Sequence, residues 1–138
     1  MNRKSSGVSH ATATAERTAP ANLTAAVDAL VHGYNAELEI YSTVRALTYK
    51  QRDTLCNGWD LDRFGDLLDE KEDLLQMIGQ VESVMKGAKA LVLGRKDSEC
   101  PNRWQLERLL DHLARMIEEI RALERVNASF LETALAAG

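Results

Sequence analysis

The chain has 138 residues and a mass of 15.3 kDa, the size of one domain. Hydrophobic residues make up 45%, enough for a core, whereas 5% aromatics and two prolines argue against an all-β sandwich or barrel. The net charge of −4 excludes the broad basic footprint of a nucleic-acid binder, and no run of about 18 apolar residues is present for membrane insertion.

Residues 1–22 contain only Met1 and Val8 as sizeable apolar side chains. Such a segment buries too little surface to offset its ordering entropy, so a disordered, mildly basic tail is expected. It has no apolar stretch of the kind that a secretory signal requires.

From Leu23 the pattern changes. Leu23, Val27, Leu30, Tyr34, Leu38, Tyr41, Val44 and Leu47 are separated by three or four residues, the spacing of one helix face. Asn22 is placed to cap the start. The helix is predicted over 23–56, and Asn57-Gly58 supplies the positive φ that ends it.

A second helix is predicted over 60–92, with Asp60 as its cap. Its stripe is Phe64, Leu67, Lys71, Leu74, Ile78, Val81, Met85 and Ala88. A second row, Leu61, Leu68 and Leu75, widens the apolar arc and predicts contact with two neighbours. Leu74 and Ile78 are expected in the core. Lys71 is read as a snorkelling lysine whose head reaches the bundle edge. Gly65 and Gly79 are read as positions that permit close packing or bending. Asp60, Asp62, Asp66, Asp69, Glu70, Glu72 and Asp73 are read mainly as a solvated face.

A loop near 93–102, with Gly94 and Pro101, leads to a third helix predicted over 103–136. Its stripe is Leu106, Leu109, Leu113, Met116, Ile120, Leu123, Asn127, Phe130 and Ala134. This alternation of three and four indicates coiled-coil-like packing. The expected fold is all-α: an elongated antiparallel three-helix bundle forming a single domain over 23–138. Asn127 on the stripe either fixes register from a buried position or faces a partner.

No local residue set points to an enzyme. None of His10, His32 and His112 follows a Glu by three residues, as a di-iron bundle site requires. Cys56 and Cys100 have no accompanying Cys or His pair for zinc, and they are too few for a disulfide framework. Phosphate-binding and nucleophile-elbow motifs are missing as well. The expectation is therefore no catalytic residue, no metal and no cofactor, in a reduced cytoplasmic setting.

The run from Leu55 to Leu75, LCNGWDLDRFGDLLDEKEDLL, resembles the centre of the FlgN-like family of flagellar type III export chaperones. The run from Leu123 to Leu135, LERVNASFLETAL, resembles that family's closing helix, with Asn127 as the late asparagine and Phe130 where members often carry a second one. The likeness spans about 23–136. It implies a cytoplasmic chaperone without ATPase activity, whose clients are the hook–filament junction proteins FlgK and FlgL. Their aggregation-prone carboxyl-terminal helices would be held and delivered to the flagellar export gate. The candidate partner-binding residues are Leu123, Val126, Asn127, Phe130, Leu131, Ala134 and Leu135, which either receive a client helix in a groove or complete the core. The other reading of the same periodicity is a structural coiled-coil scaffold or adaptor subunit.

Overall fold

The computed structural model describes residues 22–96 and 99–137. The tail expected over 1–22 therefore lies outside the described residues, apart from Asn22. Three helices occupy almost all of what is described: α1 (Leu23–Cys56), α2 (Leu61–Leu93) and α3 (Arg103–Ala137). No strand occurs among the described residues. These bounds agree with the predicted ones to within one residue, because caps mark the ends.

Asn22 Oδ1 accepts from the Ala25 amide at 2.7 Å, and Asp60 Oδ1 accepts from the Arg63 amide at 2.9 Å. Each satisfies an amide that the first helical turn leaves without a partner. Between α1 and α2, Gly58 has φ +124° and Trp59 φ +60°. Glycine takes the left-handed region freely, whereas Trp59 holds it against a steric cost. Asn102, just before α3, also lies there at φ +54°, a conformation that asparagine tolerates.

The chain runs up, down and up, but the packing is not evenly shared. α1 lies along both α2 and α3, while α2 and α3 hardly approach one another. One apolar cluster joins Ala26, Val27, Leu30 and Tyr34 of α1 with Met85, Ala88 and Val92 of α2 and with Leu106 and Leu113 of α3. Cys100 of the connecting loop closes it. A smaller cluster groups Val44 with Met116 and Ile120. Toward the α1–α2 turn, Leu55 and Leu67 are almost fully enclosed.

Three expectations are corrected. Leu61, Leu68 and Leu75 do not complete a two-neighbour interface: each is more than 40% exposed, because α3 stands too far from that side of α2 to cover them. Leu74 is only half-buried, although Ile78 does face the core. Gly65 and Gly79 have open space where a Cβ would stand. The close approach belongs to Gly33, where a Cβ would run into the Met85 side chain. Gly33 thus sets the α1–α2 separation at that level.

These placements give opposite outcomes for small substitutions. Leu67→Ala, which empties a fully enclosed site, is expected to cost about 2–5 kcal/mol in urea unfolding. Gly79→Ala meets nothing and removes a helix-interior glycine, so it is expected to add up to about 1 kcal/mol.

Candidate functional site

The last four turns of α3 carry the residues singled out in the sequence. Leu123 and Asn127 are buried, Asn127 against α1. Leu131 and Ala134 are half-buried. Val126, Phe130 and Leu135 are exposed, at 40%, 37% and 64%. The segment is thus two-sided: its inner residues join the bundle and its outer ones leave apolar side chains uncovered. Glu119, Val126 and Phe130 follow one another by seven and four positions and so share a face. Tyr49 and Arg45 of α1 reach that face, both bonding Glu119 at 3.1 Å.

Beneath this surface lies a buried polar layer. Asn127 Nδ2 donates to the Thr48 carbonyl at 3.1 Å, and Thr48 Oγ1 donates to the Val44 carbonyl at 2.7 Å. Lys71 does not snorkel to the edge. It is 3% exposed, and its ammonium donates to Gln51 Oε1 and to Glu124 Oε2, both at 2.9 Å. Gln51 Nε2 in turn donates to the Phe64 carbonyl at 3.3 Å. Lysine stays inside because two acceptors from two other helices meet its charge there. Glu124, half-exposed, keeps contact with water while closing the bridge from α2 to α3. Asn127 Oδ1 is buried and has no hydrogen-bond partner among the described residues.

Sequence reasoning placed Lys71 and Asn127 on the stripes but passed over Thr48 and Gln51. The signal was present: Val44, Thr48, Gln51 and Leu55 continue the α1 stripe by four, three and four. Polar identity at those positions hid the continuation.

A second polar group interrupts the core between the two apolar clusters. Glu37 on α1 is 4% exposed. Burial first, then its hydrogen bond to Glu82 and that carboxylate's charge, push Glu37 up to about 8. The hydrogen bond from Glu37 holds Glu82 below its ordinary value. Lys89 bonds Glu82 and stands 5.8 Å from the centre of the Tyr34 ring. Burial raises both Tyr34 and Tyr41 beside it. The pair therefore holds one proton near neutral pH, because two adjacent carboxylates cannot both ionise cheaply.

No group of three or more His, Cys, Asp or Glu side chains suited to a metal occurs among the described residues. Cys56 is exposed, Cys100 is buried, and both are free thiols. His32 and His112 are exposed. No helix among the described residues is long and apolar enough to cross a membrane.

Two measurements probe these polar groups. Glu124→Ala strips the buried ammonium of its countercharge and is expected to cost about 2 kcal/mol; Glu118→Ala, which breaks only the exposed pair with Arg121, costs less than about 0.5. For Glu37 the folded form keeps a proton that the unfolded chain releases above its ordinary value of 4.5. Stability from this residue is therefore fully present below that value and is lost as pH rises to about 8. Glu37→Gln is expected to flatten the fall in melting temperature between these limits and to raise the melting temperature at the alkaline end.

In comparison with known families, the family model described as FlgN protein aligns with residues 26–137. No curated protein and no solved structure matches the chain. The match spans all three helices, from the second turn of α1 to the end of α3. It covers most of the chain, so the chain belongs to the FlgN family of flagellar export chaperones.

Proposed function

We propose that this chaperone acts in the cytoplasm, binds the carboxyl-terminal helical regions of the hook–filament junction proteins FlgK and FlgL, and delivers them to the flagellar export gate. The observation that supports this reading is the two-sided end of α3. Asn127 anchors the segment to α1, and Leu123 one turn before it is buried, so Val126, Phe130 and Leu135 are presented on a fixed frame. An amphipathic client helix would lay its apolar face across them and against the half-buried Leu131 and Ala134. Holding such a helix hides the surface through which free client chains would aggregate. The protein needs no nucleotide or metal for this, since exchange of one apolar face for another supplies the driving force.

Phe130→Glu is expected to abolish the complex with the carboxyl-terminal helix of FlgK or FlgL, because a carboxylate would be buried without a partner. Helix content by circular dichroism stays close to wild type, as Phe130 already touches water. Titration calorimetry of this variant that still registers the complex would move the client site away from α3.

A further inference from the structure

The face of α2 turned away from α3 has a pattern that the client reading does not use. Asp62, Asp66, Asp69, Asp73, Met77, Gln80 and Val84 follow one another by gaps of four, three, four, four, three and four, and all seven are exposed. One helix face is therefore acidic along its first half and mostly apolar along its second. None of the four aspartates has an ion-pair partner among the described residues; the nearby pair on this helix joins Arg63 to Glu70.

The apolar half does not stand alone. Met77, Val81 and Val84 of α2 form one wall of a groove of about 490 Å³, Ala29, His32 and Ala36 of α1 form the other, and the buried Met85 lies over Gly33 between them. Val84 is 68% exposed and Met77 46%. The α1 wall is low at Ala29 and Ala36, which carry only a methyl group, while the imidazole of the exposed His32 stands beside them. A helix backbone can approach such a wall closely. The exposed Met77 opposite adapts its shape to an incoming side chain.

We infer that this α1–α2 groove is a second docking site and that it takes a basic amphipathic helix of a partner protein. The apolar face of that helix fills the groove beside Met77 and Val84. Its Lys or Arg residues, clustered at one end, meet Asp62, Asp66, Asp69 and Asp73. The charge order fixes polarity: the basic end lies toward the start of α2. From Asp62 to Val84 the strip is about 33 Å long at ~1.5 Å per residue, so the partner helix has roughly 22 residues. An acidic or neutral helix of equal hydrophobicity is disfavoured by the four unpaired carboxylates. The groove and the end of α3 lie on different sides of α1, so the two sites can be filled together.

The test uses the full chain and two synthetic 22-residue amphipathic helices with the same Leu and Ala face. One carries lysines at a single end, and the other carries glutamates there. Binding is followed by fluorescence anisotropy and by amide shifts in the labelled protein. The basic peptide is expected to shift the amides of Gly33, Ala36, Met77 and Val84 and to bind at least tenfold more tightly than the acidic one. Val84→Glu should weaken it at least tenfold, and the combined Asp66→Asn, Asp69→Asn and Asp73→Asn variant about fivefold. Phe130→Glu should leave it unchanged, which separates this site from the client surface. Equal binding of the two peptides, shifts confined to α3, or insensitivity to Val84→Glu would overturn the inference. Self-association through the groove, seen in sedimentation and abolished by Val84→Glu, would overturn it in favour of a second copy. Removal of residues 1–21 that alters the same amides without any peptide would assign the groove to the chain's own amino terminus.

Discussion

α1 buries side chains on two flanks for most of its length, and every other feature of the molecule follows from that double duty. On one flank Gly33 lets α2 close in over Met85. On the other, Thr48 accepts from Asn127, and Arg45 and Tyr49 reach Glu119. Because α2 and α3 each spend their strongest stripe on α1, neither covers the other. Three helices around one axis would have hidden Leu61, Leu68 and Leu75; this arrangement leaves them in water. These uncovered faces arise from packing geometry.

The polar layer around Lys71 limits how far that openness goes. A single ammonium ties a side chain from each of the other two helices, Gln51 from α1 and Glu124 from α3. Apolar residues in the same volume could pack as tightly, but they would tolerate sliding of one helix along another. Directed hydrogen bonds at a charge do not, since any other register leaves the ammonium unpaired. Asn127 on the Thr48 carbonyl adds a second fixed point one turn away. The segment of α3 that bears Val126 and Phe130 is thereby held in one orientation.

Glu37 and Glu82 set the opposite condition higher in the bundle. Between the two apolar clusters the core contains a carboxyl pair that is comfortable only with one shared proton. Lys89 stabilises the charged partner but leaves Glu37 to desolvation. The bundle therefore loses stability with rising pH at this level.

The existence and bounds of the three helices were legible in the sequence, because caps and periodicity are local. Asn22, Asp60 and Gly58 each act within a few residues of their own position. The antiparallel order was legible for a related reason: connections this short leave the helices few other ways to pack. The side of each helix that remains uncovered was not legible. The Leu61 row carries the same periodicity as a core stripe, and only the position of α3 decides that it faces water. Lys71 shows the same limit in reverse: a lysine on a stripe has two ordinary fates, and the acceptors that keep it inside stand 20 and 53 residues away. Gly33 and Gly79 are both isolated helical glycines in sequence, yet one meets Met85 and the other nothing. Hydrophobic spacing determines which residues can be buried together; which of them are buried depends on how far apart the helix axes settle, and that distance is set by contacts between residues remote in the chain.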